Sequence, residues 1–274
     1  MGRIGRTVVV TGASSGIGRA CAERLARAGW RVLAGVRTAA DAGSLRASGT
    51  EPITLDVTDA AMVAAAADTV GNRLDGLVAN AGIAVAAPLE LVPLEELRRQ
   101  QLEVNVVAQV AVVQALLPAL RRARGRVVLM GSIGGRSALP FLGPYAASKH
   151  ALEAVADSLR VELRPWGIAV SIVEPASVRT LLWEKGATRA DELQAAVAPE
   201  SAALYETAVA RFRAVAAARG PGEDPDVVAL AVEHALTTAR PKARYVVGRD
   251  AHLRAWTERL PTRLRDRLLA RALT

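Results

Sequence analysis

Residues 7–18 read TVVVTGASSGIG. An uninterrupted β-branched run, as expected of a strand buried on both faces, stops at Thr11 and gives way to Gly12, Gly16 and Gly18. The residues that follow, to about position 28, carry helical spacing, so the glycines stand where a strand turns sharply into a helix. Glycine there permits the turn, lets a pyrophosphate approach the backbone and lets helix and strand pack closely. The first N–H groups of the helix then face the phosphates. With a strand before and a helix after, this signal is far more specific than a glycine-rich turn alone.

The alternation continues to about residue 250. Strands are predicted at 7–11, 31–36, 52–57, 76–80, 126–132, 168–175 and 243–248, and helices at 17–28, 59–70, 89–122 (as two helices), 145–164 and 225–239. Near-continuous apolar strands separated by helices indicate an α/β fold with one doubly wound, parallel sheet covered on both faces. No internal repeat or Pro/Gly/Ser-rich linker divides the chain, so residues 1–274 read as a single domain. Two regions escape the pattern. Residues 181–222 are rich in Ala, Glu and Arg and are predicted to form a lid of two small helices. Residues 251–274 place Leu253, Trp256, Leu260, Leu264, Leu268 and Ala272 at helical spacing among arginines. Such an amphipathic tail docks on its own fold or on a partner subunit, a membrane surface being the weaker alternative.

Composition narrows the function classes. With 51% hydrophobic and only 3% aromatic residues, the core must be built from Ala, Val and Leu. The single cysteine, Cys21, excludes an intramolecular disulfide, and three scattered histidines make no structural zinc site, so no metal is expected. The net charge of +8 is spread along the chain without a dense basic run or interleaved aromatics, which argues against a nucleic-acid partner. TVVV at 7–10 is too short for a signal core, and the apolar region 106–120 is broken by Gln109, Gln114 and Pro118. A soluble, cytoplasmic protein is expected.

In an open parallel sheet, ligands bind beyond the carboxyl ends of the strands. Read there, the chain offers Thr11 and the glycine turn, Arg37, Asp56, Asn80-Ala81-Gly82, Ser132, and Pro175 followed by Thr180. Singly each is a loop residue capping a helix; jointly they describe a nucleotide cleft. The position about 20 residues beyond the glycines carries an acid when a ribose is unphosphorylated and an arginine when a 2′-phosphate must be held. Here the sequence is GVRT, with no acid until Asp41, so NADP(H) is favoured and NAD(H) remains open. The turn also satisfies G-x-S-x-G, with Ser14 as a hydrolase nucleophile and His150, His234 and His252 as downstream bases, but that elbow would leave Gly18 unexplained. A non-catalytic NADP(H)-binding regulator would keep the glycine turn and have no use for the motif that follows.

Residues 145–149 read YAASK. The chain holds three tyrosines and three lysines against 32 arginines, yet here a lysine stands four residues after a tyrosine, on the same face of a predicted helix. A compact ammonium beside a phenol points to chemistry that a planar guanidinium does badly. His150 is rotated about 100° from Lys149 on that helix and reads as structural.

Taken together, TGASSGIG, Asp56, NAG at 80–82, Asn105, Ser132, YAASK and PASVRT at 175–180 resemble the short-chain dehydrogenases/reductases, with a lean to the steroid- and retinol-type branch. The motifs span residues 7–180, with 13 residues from Ser132 to Tyr145. The resemblance implies a seven-stranded sheet, a secondary-alcohol/ketone oxidoreductase and a catalytic tetrad of Asn105, Ser132, Tyr145 and Lys149. It implies cofactor contacts from Gly12, Ser14, Ser15, Gly16, Ile17, Gly18, Arg37, Asp56, Val57, Asn80, Ala81, Gly82, Tyr145, Lys149, Pro175, Val178 and Thr180. It also implies a homodimer or homotetramer built through the long helices near 102–122 and 145–164.

A free tyrosine titrates near ~10, too high for a base at neutral pH. Lys149 and an oxidised nicotinamide are expected to lower it, Ser132 to hold the substrate oxygen, and Asn105 to anchor a water behind Lys149. One departure stands out: Ala176 follows Pro175 where the family usually has glycine, and strain is expected if that residue needs a positive φ. Leu139, Phe141 and Leu142, with Leu181, Leu182 and Trp183 at the start of the lid, predict an apolar pocket for a small hydrophobic ketone or alcohol, touched by Ser132, Leu139, Tyr145 and Leu182.

Overall fold

The computed structural model describes residues 5–218, 220 and 222–273; Arg219 and Pro221 of the predicted lid and Thr274 of the predicted tail lie outside the described residues. In chain order the first half runs β1 (Thr7–Val10), α1 (Gly16–Arg27), β2 (Arg31–Val36), the short α2 (Gly43–Arg46), β3 (Glu51–Thr54), α3 (Ala60–Val70), β4 (Gly76–Ala79), α4 (Ala108–Ala123) and β5 (Arg126–Met130). The second runs α5 (Gly143–Glu162), β6 (Ala169–Pro175), α6 (Leu181–Ala195), α7 (Pro199–Ala203), α8 (Glu206–Ala218), α9 (Pro225–Thr237), β7 (Arg244–Val247), α10 (Arg249–Thr257) and α11 (Thr262–Leu273). The seven strands form one sheet in the order β3-β2-β1-β4-β5-β6-β7, every pair parallel.

Because successive strand side chains alternate, the inner strands feed two cores. Val8 and Val10 of β1, Val32 and Ala34 of β2 and Val128 of β5 join α1 and α9 on one face, around Leu25, Trp30, Val228 and Val232. Val9, Leu33, Val127 and Leu129 join α3, α4 and α5 on the other, around Leu116, Leu120, Leu152 and Ala156. Burial on both faces explains why the strands read as apolar runs without alternation.

Strand order reverses between β1 and β4, the switch point where an open α/β sheet leaves a crevice. The Thr11 hydroxyl closes that junction: its oxygen accepts the N–H groups of Asn80 and Ala81, each at 2.9 Å. The Asn80 amide donates back to the carbonyls of Thr11 and Gly12 at 2.9 and 3.2 Å.

Four expectations change. The region predicted as two helices over 89–122 is one continuous helical stretch, Glu96–Ala123, whose hydrogen bonds step five residues rather than four over Glu96–Val107. At 28 residues it is long and apolar enough to cross a membrane by length and composition, contrary to the expectation, but Val112, Leu116 and Leu120 pack into the core of the sheet. The lid contains three helices, α6, α7 and α8, rather than two, because Pro199 starts a separate turn. The tail divides into α10 and α11 at Pro261, which cannot continue a helix.

Candidate active site

The glycine turn has the tight geometry its sequence implies. Gly12 and Gly16 have φ of 63° and 54°, values that side chains rarely adopt. A Cβ on Gly12 would lie 2.9 Å from the Ala81 Cα, and one on Gly18 only 2.2 Å from the Gly12 carbonyl oxygen. The turn, the start of α1 and the loop after β4 are thus in mutual backbone contact, and half-buried Ser14, Ser15 and Ile17 ride on the turn. Gly16 packs on Thr180, whose Cγ2 would stand 2.9 Å from an added Cβ, so the segment after β6 closes over the turn after β1.

Farther along the rim, Arg37 is exposed at the end of β2 and makes no hydrogen bond or ion pair among the described residues. Asp41, the nearest acid beyond it, is engaged by the Thr38 hydroxyl at 2.8 Å. Asp56 stands nearby; burial works to raise its carboxyl, but the Thr58 amide and hydroxyl, at 2.9 and 2.7 Å, and the Arg37 charge hold it below the usual carboxylate range. Val57 is buried next to Asp56, and Pro175 and Val178 are buried at the end of β6.

The tetrad residues converge from three elements. Ser132 follows β5 and takes the Gly134 N–H on its oxygen at 3.0 Å, and its hydroxyl is near enough to the Tyr145 phenol to favour the ionised form. Tyr145 and Lys149 share one face of α5, both buried. The Lys149 ammonium donates to the Met130 carbonyl at 2.8 Å and lies 5.8 Å from the Tyr145 ring centroid. Burial pushes Lys149 down to about 8, with Glu153 acting in the opposite sense. Burial also raises the Tyr145 phenol above its ordinary value, only partly offset by the nearby Ser132 hydroxyl and the Arg254 charge. The expectation that Lys149 depresses the phenol is therefore corrected for the protein alone: the ammonium is turned to a backbone carbonyl, and desolvation outweighs it.

Asn105 falls within the wide-turn segment and is wholly buried. Its Oδ1 accepts the Ile83 N–H, and its Nδ2 donates to the Ile83 carbonyl and to Ser148 Oγ, all at 2.9 Å. The Ser148 hydroxyl donates in turn to the Tyr145 carbonyl at 2.7 Å. Asn105 thus ties the loop after β4 to α5 and places Gly82 against Lys149: a Cβ on Gly82 would lie 3.1 Å from Asn105 Oδ1 and 3.7 Å from Lys149 Nζ. Gln109, noticed in the sequence only as a break in an apolar run, supports the same loop through the Ala81 carbonyl at 2.7 Å.

A cavity of about 480 Å³ opens at Ser132 and Tyr145. Leu139, Phe141, Leu142 and Trp183 line it as expected, and Val209 and Phe212 of α8 close it. Trp183 meets the Tyr145 ring edge-on at 5.5 Å, and Phe141 meets Phe212 at the same distance. Leu182 and Leu181 do not line this cavity; a helix rotates each neighbour by about 100°, and Trp183 is the lid residue that points in. Ala176 is unstrained: Arg124 and Phe141 alone among the described non-glycine residues have positive φ. Sequence reasoning offered docking of the tail on its own fold but not its place in the cavity wall. Asp250, Arg254 and Leu269 line the cavity, and Arg254 donates to the Ser137 carbonyl, yet one arginine among 32 carries no signal of its own. The opposite wall is pinned by Gly186 of α6, where a Cβ would stand 2.6 Å from the Ala84 carbonyl oxygen.

No histidine serves Ser14. His150 Nδ1 is 2.8 Å from the Ala146 carbonyl, His234 Nδ1 is 3.0 Å from the Tyr245 hydroxyl and His252 Nδ1 is 2.9 Å from the Gly248 carbonyl.

A family model described as short chain dehydrogenase matches residues 6–191. The chain belongs to the short-chain dehydrogenase family. Among its relatives, an NADPH-dependent 3-dehydrocapnine reductase of Ornithobacterium rhinotracheale is 35% identical, with 98% of this chain and 97% of that protein covered. Retinol dehydrogenase 16 of Homo sapiens is 38% identical over 90% of this chain and 81% of its own length. A short chain dehydrogenase of Burkholderia cenocepacia, solved in complex with NADP, superposes with a TM-score of 0.73 at 27% identity, covering 98% of each chain. The seven-stranded parallel sheet of this short-chain dehydrogenase matches such structures along almost its whole length.

Proposed function

We propose that this short-chain dehydrogenase is an NADP(H)-dependent oxidoreductase that interconverts a hydrophobic ketone and its secondary alcohol, with reduction as the favoured direction at neutral pH. The observation that carries the proposal is the convergence of Ser132 and Tyr145 on the wall of one apolar cavity of about 480 Å³, with buried Lys149 5.8 Å from the Tyr145 ring. The residues fit a dinucleotide: the turn at Gly12, Gly16 and Gly18 has no room for side chains where a pyrophosphate would approach, and Arg37 is free for a 2′-phosphate. Asp56, Val57 and Asn80 to Gly82 line the same rim, and Thr180 closes it. The NADPH named for one relative and the NADP bound to one structural neighbour support this choice, and NAD(H) remains the alternative cofactor.

When bound, the nicotinamide supplies or accepts the hydride. The chain's own residues handle the oxygen. Ser132 donates to the substrate carbonyl and fixes it beside Tyr145, while the phenol, held protonated by burial, delivers its proton to the developing alkoxide. Lys149 then stabilises the phenolate left behind, and Asn105 holds Gly82 and Ser148 in register around that lysine. The apolar wall of Leu139, Leu142, Trp183 and Phe212 excludes water and selects bulk over charge.

The decisive test is turnover of NADPH and NADH with a panel of ketones and alcohols. Activity on bulky apolar ketones with NADPH is expected; activity confined to small charged keto acids would overturn the substrate class. We also propose a cytoplasmic homodimer or homotetramer, for which exposed Val107 and Val161 beside α4 and on α5 supply apolar surface. Light scattering on the purified protein tests that state.

A further inference from the structure

Behind the reacting groups lies a buried charged cluster that the proposed chemistry does not use. Glu153 stands one helical turn beyond Lys149 on the same face of α5 and is itself buried. Glu174, at the end of β6, has a side chain with no exposure at all. Between them sits a single guanidinium: Arg244 Nε is 3.1 Å from Glu153 Oε2 and 3.3 Å from Glu174 Oε1, while its Nη2 donates to both Asp157 oxygens at 2.8 Å. Arg136 reaches the other Glu174 oxygen at 3.3 Å, and Arg160 serves Asp157. One cation of β7 is therefore divided among three carboxylates. Glu153 Oε1 is left buried without a hydrogen-bond partner.

An incompletely paired carboxylate in a low-dielectric site exerts its charge on whatever cation is next, and here that is Lys149. The two are held in place from the far side: the Gly135 backbone packs into α5 so closely that a Cβ there would lie 2.8 Å from the Lys149 carbonyl and 3.2 Å from Glu153 Cγ.

We infer that Glu153 is a positioning residue of the active site: its ionised carboxylate keeps Lys149 in the ammonium form, and Arg244 and Glu174 together decide whether Glu153 is ionised. Burial and the Glu174 charge push Glu153 up to about 7, against the pull of Arg244, so its ionisation changes within the neutral range. Below that point Lys149 loses its anionic neighbour yet stays protonated because its own value is about 8; above it, Glu153 carries its charge where Lys149 needs support. The inference rests on Lys149 belonging to the active site, but it can be tested without substrate.

The chain has three lysines, and Lys185 and Lys242 are exposed, so the full-length protein labelled with ¹³Cε-lysine gives one buried signal. In the wild type that signal is expected to titrate with a midpoint near 8 and to show a smaller inflection near 7 from Glu153. Glu153→Gln should abolish the inflection and lower the Lys149 midpoint by about one pH unit. An unchanged midpoint in a folded Glu153→Gln protein would overturn the inference. If that variant does not fold, Glu174→Gln serves instead: it should move the inflection to lower pH without lowering the Lys149 midpoint, and an inflection that stays in place refutes the coupling. A merely structural role for the cluster would change melting temperature in these variants without moving either titration. Failure of the ketone panel leaves these titrations intact, so the two ideas fail separately.

Discussion

The nucleotide rim and the substrate cavity meet at Tyr145 but are built on different principles. The rim is made of backbone: glycines that leave no room for a Cβ, threonine and asparagine side chains bonded to neighbouring main chain, and strand ends fixed by the sheet's register. The cavity is made of side chains from α6, α8, α10 and α11 and from the segment before α5, elements brought together only by the fold. Backbone geometry constrains which residues are allowed, whereas an apolar wall accepts many. One half is fixed by stereochemistry and the other by volume.

Substitutions at the junction and on either side of it sharpen that contrast. Tyr145→Phe, at the junction, should lower ketone turnover by about 10³-fold while leaving NADPH binding and melting temperature near wild type, measured by NADPH oxidation and thermal unfolding. Turnover within a few fold of wild type would remove Tyr145 from the chemistry. On the rim, Gly18→Ala drives a methyl group against the Gly12 carbonyl and should lower Tm by roughly 5–10 °C and abolish saturable NADPH fluorescence. Arg37→Ala should raise the NADPH KM by about 10- to 100-fold and leave the NADH KM nearly unchanged. Equal effects on both cofactors would take the 2′-phosphate away from Arg37.

The pH dependence joins the two halves. Lys149 has its value lowered by burial to about 8, so its charge is present below that pH and lost above it. In the proposed mechanism reduction also needs the Tyr145 proton, which burial retains to higher pH than in a free phenol. The kcat/KM for reduction should therefore be level through neutral pH and fall above about 8, approaching tenfold per unit. A profile that rises through that range would reverse the assignment of proton donor. In the cavity, Trp183→Ala removes one edge-on ring contact and should cost about 3- to 10-fold in kcat/KM for a bulky ketone, with the NADPH KM unaltered.

The same contrast explains what could be read from the chain before folding. TVVVTGASSGIG was legible because glycine fits φ near 60° at positions 12 and 16 and the close approach at 18, and the NAG at 80–82 because its glycine leaves room for Asn105, so identity and geometry are nearly one-to-one. YAASK was legible because lysine is rare here and four residues make one helical turn. The lid's helix count, the turn of Leu182 away from the cavity and the Arg254 contact were not, because periodicity fixes a helix and its face but not what that face meets. The acidity of Tyr145 escaped for a similar reason: the sequence puts Lys149 one turn away, but burial and the Met130 carbonyl decide which force dominates.

Gly186 carries a last consequence. Its main chain rests on the Ala84 carbonyl with no space between for even a methyl group, and the strand-end loop beneath it is held by Asn105 through Ile83. The α6 side of the pocket is thereby bolted to the sheet and behaves as a wall. Any widening of the pocket for a larger ligand therefore falls to the side where α8 and α11 lean on each other.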